Sequence, residues 1–466
     1  MTQRDHTQLL AELAQAYADH SPRSEALNVQ ARQCQVDGGS HALRLIQPFP
    51  PRIVSANGAW LKDEDGHKIL DFWQGHLANI LGHNPEIITS VMALTFEMGT
   101  GLQTGFNDRL QVETAQLVCQ QTGADQVRFT SSGTLATMYA ILLARAFTGR
   151  DMVIKVGGGW HGAHPWGLKG VKFHSQDGSG FQRVETAGLS PAQTDEIVVT
   201  RFNDPDMLRD HFRQYGDRTA CFIVEPFLGA GGYMLATSEY LQTARELTQQ
   251  YGATLIFDEV ISGFRFRAGD AGSLYGVRPD LATFGKIMGG GMPLAAVAGR
   301  ADIMRLVGRD GGSKVKFSGG TYSAHPASLM AGKTMMGYLA AHEEEIYPRI
   351  AALGEKTRQM VEEAFAEQGI YARCTGYGND VVPGSSVGMI NFPYQEGRQL
   401  DTPADSRNPA VCDVTLSEVV LRLALLLEDV HVVHSLGSVS AAHTEADVDG
   451  LGAACRRVAQ RIKPYL

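Results

Sequence analysis

Asp258 and Lys286 are the residues of this sequence whose types and spacing first suggest chemistry. Each closes a short apolar run: Ala253–Phe257 leads into Asp258 and Glu259, and Asp280–Phe284 leads into Gly285 and Lys286. Runs of that length and make-up predict buried parallel strands. Open α/β sheets bind ligands at the carboxyl ends of their strands. The pair, 28 residues apart, is therefore expected to face one site. Gly289-Gly290-Gly291 follow, where backbone can pass close to a bulky ligand. A lysine amine and a carboxylate on opposite sides of a ligand suit pyridoxal phosphate. The amine holds that cofactor covalently, and the carboxylate keeps its ring nitrogen protonated. Taken alone, an Asp and a Lys are more often a turn cap and a solvated surface lysine.

A second constellation lies upstream. Val127–Thr130 predicts a strand, Ser131-Ser132-Gly133-Thr134 a small polar turn, and Leu135–Phe147 a helix. Free backbone N–H groups and the helix dipole favour a phosphate at such a join, although an ordinary N-cap has the same composition. Met152–Val156 predicts another strand, which runs into Gly157-Gly158-Gly159 and Trp160. An aromatic beside a Gly-rich turn can stack on a flat ring, or simply pack.

The wording around these residues decides between the readings. The segments FDEVISGFR, YGVRPDLATFGKIMGGGMPLAAVAGR and FSGGTYSAHP resemble the signature of the class III (fold type I) pyridoxal-phosphate aminotransferases. Within that family the likeness is greatest to the subgroup containing glutamate-1-semialdehyde aminomutase, and it runs from about Gly58 to the C-terminus. The resemblance implies that Lys286 carries the cofactor and then acts as general base, with Asp258 against the pyridine nitrogen. It implies Trp160 on one face of the ring, Val260 on the other, and Ser132, Gly133 and Thr134 around the phosphate. Thr321 would reach the phosphate of the neighbouring subunit's cofactor, making the active unit a homodimer. Glu225 would either hydrogen-bond near the cofactor or hold a loop. Arg265 is expected to be structural, and His161 to shape its turn rather than to take part in chemistry.

Departures from the family bear on the substrate. His76 stands where the aminomutases have an aromatic, Ser435 where a Glu is expected, and Leu135 where a Glu usually follows the phosphate turn. A substrate carboxylate calls for an arginine in the N-terminal segment. Arg44 is the nearest candidate, although His41 falls closer to the family's register, and His76 joins Arg44 as a candidate substrate residue. The expected activity is two-step transfer of an amino group from an amine or amino acid, β-amino acids included, to a 2-oxo acid. The alternative is a mutase that moves the amine within one substrate. A scaffold without chemistry disagrees with the intact Lys286, Asp258 and phosphate turn.

The elements that must position these residues follow from the rest of the chain. Its 466 residues, 44% hydrophobic and 20% charged, describe an ordinary globular protein. A net charge of −9 without a basic block argues against nucleic acid as a partner. Six scattered cysteines offer neither a disulfide framework nor metal-like spacing, so no metal is expected. The absence of a signal-like N-terminus, and of any run of about 18 apolar residues, predicts a cytoplasmic protein that engages no membrane. Strand and helix patterns alternate from Val127 to Ala298, which predicts an α/β fold: a large, mostly parallel-sheet domain and a small α+β domain built from the N- and C-terminal segments. The expected division is residues 1–86 (helix and meander, with hairpin turns at Asn57-Gly58 and Asp65-Gly66), 87–340 (cofactor domain) and 341–466. In the last part, Ser417 and Thr444 are expected to cap helices, and Leu400–Pro409 to form a mobile loop.

Overall fold

The computed structural model describes residues 4–175, 180–309 and 314–466. The excursion read between Gly167 and Pro191 lies partly outside the described residues, at 176–179. The centre is a seven-stranded sheet in the order Gln126–Thr130, Ala295–Gly299, Leu281–Phe284, Thr254–Glu259, Thr219–Val224, Met152–Val156, Ile197–Thr200. All run in one direction except Ala295–Gly299, which is antiparallel to both of its neighbours.

Every residue of Thr254–Glu259 and Thr219–Val224 is buried, because helices cover both faces of the sheet. Alternate side chains serve alternate faces. Leu255 and Phe257 pack with Tyr240, Leu241 and Ala244 of the helix Ser238–Tyr251. Ile256 packs with Ala140, Ile141 and Ala144 of the helix Gly133–Thr148. This sandwiching explains why the sequence shows continuous apolar runs rather than an alternation.

The N-terminal meander forms a second sheet from Ile53–Asn57, Trp60–Asp63 and Lys68–Asp71. Its fourth strand comes from the other end of the chain: Val430 and His431 pair in parallel with Leu70 and Asp71. Nearby, the helix Glu343–Ala366 packs on the last helix, Glu445–Ile462. Thr444 caps that last helix in a reciprocal box with Asp447.

Two expectations in this region are corrected. Ser417 is no cap but lies buried inside a widened turn, Leu416–Val420, and Asp413 Oδ1 accepts from Leu416 N–H instead (3.0 Å). Leu400–Pro409 is not a free rim. Pro403–Ser406 makes a helical turn with Pro403 buried, and Arg407 donates to the carbonyl of Ala230. A Cβ on Gly158 would meet Pro403 Cβ at 3.0 Å, so the segment is seated on the glycine turn.

Candidate active site

Five strands of the central sheet deliver residues to one edge. Asp258 and Thr283 are paired neighbours on adjacent strands, and Lys286 follows two residues after Phe284, in a left-handed conformation (φ 47°). Glu225 follows Val224, the Gly157–His161 turn follows Val156, and Ser131–Thr134 follows Thr130. Together they line a cavity of about 260 Å³ that includes Ser132, Gly133, Thr134, Trp160, His161, Glu225, Asp258, Val260 and Lys286. So five separate stretches of sequence meet because parallel strands end together.

The Asp258 carboxylate, 3% exposed, is held by three donors. His161 Nδ1–H donates to Oδ2 (2.8 Å), while the Thr283 hydroxyl (2.9 Å) and Val260 N–H (3.2 Å) donate to Oδ1. The placement of His161 departs from the expected turn-shaping role: its ring is buried against the carboxylate, with Nε2 making no hydrogen bond among the described residues. Burial lowers its pKa, and Asp258 opposes that. A Cβ on Gly159 would lie 3.0 Å from His161 Nε2, so a side chain there would crowd the imidazole.

Burial also lowers the pKa of Lys286, against the pull of Asp258 and Glu225. That raises the fraction of neutral, nucleophilic amine. Burial, with the Asp258 charge beside it, pushes the Glu225 carboxyl up to about 8. Its oxygens accept from Trp160 N–H and Gly229 N–H, both at 3.0 Å. Of the two roles left open for Glu225, loop holding is the one with hydrogen bonds behind it. Lys155, missed in the sequence, is fully buried, and its amine donates to the carbonyls of Gly159 (3.1 Å), Gly167 (3.1 Å) and Lys169 (2.7 Å). A lysine inside an otherwise apolar strand was the available signal.

The fit to a phosphorylated pyridine ring can be judged from the cavity walls. Ser132 caps the helix Gly133–Thr148 through Leu135 N–H (3.3 Å), leaving the N–H groups of the first turn without intrahelical acceptors. Gly133 is packed so tightly that a Cβ would lie 2.9 Å from Val260 Cγ1. Trp160 stays 40% exposed at the mouth, an amount unusual for a packing tryptophan. An anion seat, a flat-ring slot and a lysine facing a carboxylate fit the group.

Arg44 and His76 line no part of that cavity; they form a rim beside it. The Gln74–Leu77 turn packs on Lys286–Gly289. Arg44 Nε–H donates to His76 Nε2 (3.2 Å), and the His41 ring lies 4.6 Å from that of His76. Burial, then His41, Arg44 and Lys286, push the His76 pKa down to about 3, so the ring is a neutral acceptor. Gln74, Gly75, His76 and Leu77 all have positive φ (45–67°), a conformation costly for three of the four. Asp71 anchors the turn by accepting from Trp73 N–H (3.0 Å) and Gln74 N–H (2.9 Å). Burial raises the Asp71 pKa, but hydrogen bonds from His431 and His83 outweigh it and hold the carboxyl well below the usual range. Arg265, structural as expected, is buried and donates to the carbonyls of Ile261 and Leu77. Thr321 is exposed outside the cavity, in a broad hollow lined also by Phe106, Asp108 and Phe129.

Fold and site together define a pyridoxal-phosphate enzyme of fold type I. The aminotransferase class-III family profile matches residues 46–379, and the chain belongs to that family. It is 37% identical over 347 residues to a glutamate-1-semialdehyde 2,1-aminomutase from Methanocorpusculum labreanum, covering 73% of this chain and 80% of that one. Among solved structures it superposes on an omega-transaminase from Sphaerobacter thermophilus with a TM-score of 0.84, at 31% identity and 94% and 98% coverage. A transaminase solved with PLP bound matches with a TM-score of 0.81, at 28% identity and 95% and 99% coverage. Pyridoxal phosphate is the cofactor of the family. Among the described residues no helix is long and apolar enough to cross a membrane.

Proposed function

We propose that the chain transfers an amino group between two small molecules, from an amine or amino acid to a 2-oxo acid, through Lys286. The reading rests on one observation above all: Lys286 and the buried Asp258 close adjacent parallel strands and line the same cavity. The cofactor, when bound, supplies an electron sink for the carbon that bears the substrate nitrogen. Lys286 would hold it, and the Lys286 amine would move a proton at that carbon. Asp258 keeps a negative charge at the ring nitrogen, and His161 and Thr283 keep it aimed. Ser132, Gly133 and Thr134 hold the phosphate, and Trp160 and Val260 enclose the ring. Arg44, steadied by neutral His76, recognises an acidic group on the substrate. Thr321 acts across a homodimer, on the neighbouring subunit's phosphate.

The second reading is an amine shift within one substrate. The names of the sequence relatives favour it more than they favour transfer, since relatives 33–38% identical are aminomutases. Transfer is supported by the omega-transaminase likeness, by His76 in place of an aromatic, and by Ser435, whose hydroxyl is tied to the backbone of Ile390. One titration separates them: visible absorbance of the holoenzyme with single amino donors and no acceptor. Bleaching by a donor, reversed by a 2-oxo acid, is expected. Isomerisation of an amino-keto or diamino substrate without any acceptor would establish the shift instead.

A further inference from the structure

His20, His67 and Asp429 come together where three distant parts of the chain meet. His20 ends the helix Thr7–His20, His67 follows the Asp65-Gly66 turn, and Asp429 precedes the strand that joins Leu70 and Asp71. One ligand atom from each lies within 4.8 Å of the others, with His20 Nε2 3.7 Å from Asp429 Oδ1. The two imidazoles are stacked, centroids 3.9 Å apart.

From this cluster we infer a binding site for a divalent transition-metal ion of the Zn²⁺ type. His67 carries the strongest argument. Its Nδ1 lies 2.9 Å from Oδ2 of Asp63, whose side chain is 1% exposed and whose Oδ1 accepts from His67 N–H at 2.8 Å. A carboxylate only accepts, so the proton sits on Nδ1 and Nε2 presents a lone pair. A carboxylate behind an imidazole in this way is the usual support of a metal-binding histidine. His20 is oriented likewise, with Nδ1 2.8 Å from Ser21 Oγ and Nε2 towards the cluster. Asp429 Oδ1 is itself shielded and accepts no hydrogen bond from the described residues, although the side chain as a whole is 43% exposed. A shielded carboxylate oxygen without a donor is open to a cation.

Two imidazoles and a carboxylate suit zinc and its neighbours rather than Mg²⁺ or Ca²⁺. Bonds of about 2.0–2.1 Å in a tetrahedron put ligand atoms roughly 3.3 Å apart, so the ligand atoms, now within 4.8 Å of one another, must draw together and the stacked imidazoles must turn until their in-plane lone pairs meet. Both histidine side chains are 23% exposed, which leaves room for a water as fourth ligand. Spacing along the chain gave no hint, since the ligands are 47 and 362 residues apart. The ion would tie the N-terminal helix to the seam between the meander and the C-terminal segment.

The test is calorimetric titration of chelator-dialysed, cofactor-loaded enzyme with Zn²⁺, alongside its thermal midpoint. One equivalent per chain is expected, with a midpoint that rises with Zn²⁺ concentration. His67→Gln and His20→Asn should each abolish that equivalent, and Asp63→Asn should weaken it about 10- to 100-fold. The visible cofactor band reports that each variant is folded; if one is not, the other single substitution stands alone. No bound equivalent in the parent protein, or Zn²⁺ binding unchanged in a folded His67→Gln or His20→Asn variant, overturns the site.

Discussion

His161 Nδ1–H meets the Asp258 carboxylate at 2.8 Å, deep in the sheet edge, and both side chains are almost fully buried. The imidazole stands behind the carboxylate, so a residue of the glycine turn sets the direction in which Asp258 faces the cavity. Replacing Asp258 by Asn keeps the shape and removes the charge. Turnover is expected to fall about 10²- to 10³-fold, the cost of removing one aimed electrostatic group. His161→Gln removes one hydrogen bond to a charged group, expected to lower kcat about 10- to 100-fold. Steady-state kinetics measures both, and a His161→Gln variant with parental kcat would reduce that contact to packing.

Lys286→Ala is expected to abolish turnover while the thermal midpoint stays near the parental value. The amine is desolvated and its backbone has positive φ, so it contributes little to folding. Substantial remaining transamination in that variant contradicts the assigned role.

Gly133 and Val260 are packed so that a Cβ at 133 would sit 2.9 Å from Val260 Cγ1. Gly133→Ala should therefore cost about 1–3 kcal/mol in overpacking and push Val260 towards the cofactor slot. Weaker pyridoxal phosphate binding, read by equilibrium dialysis, is the expected result. Val260→Ala in the same chain should restore much of it, since it removes the opposing methyls. A double variant as weak as the single one would place the conflict elsewhere.

Arg44→Gln is expected to raise KM for an acidic substrate by about 10- to 100-fold with kcat little changed, as loss of uniform binding does. His76→Phe should move KM the same way by releasing the arginine from its acceptor. Equal effects on acidic and uncharged substrates would mean that Arg44 serves structure instead.

Burial lowers the pKa of His164 and of His443 to about 4. In the unfolded chain each takes a proton near 6.5. The unfolded state therefore binds more protons between those values, and stability falls as pH falls below about 6.5. Each histidine contributes up to roughly 1.4 kcal/mol per pH unit in that window. Thermal midpoints from pH 8 to pH 4 should trace the loss, and His443→Asn should make the profile shallower.

The sequence by itself determined the class of fold and the pair of strand-end residues, Asp258 and Lys286, that line its cavity. Continuous apolar runs ending in Asp258 and Lys286, and a small polar turn opening a helix at Ser132, are local patterns, and local pattern is what chain order records. It also led to Trp160, Val260 and Glu225, because each sits beside a strand end or its glycine turn. What only tertiary structure decided concerns partners from distant segments. His161 backing Asp258 spans 97 residues, and the strand pairing of His431 with Asp71 spans 360. Four successive left-handed residues at Gln74–Leu77 leave no periodic trace, since anchors elsewhere maintain them. The cap expected at Ser417 failed for a local reason. An Asp three residues upstream of Leu416 reached its free N–H first, and packing widened the turn that followed.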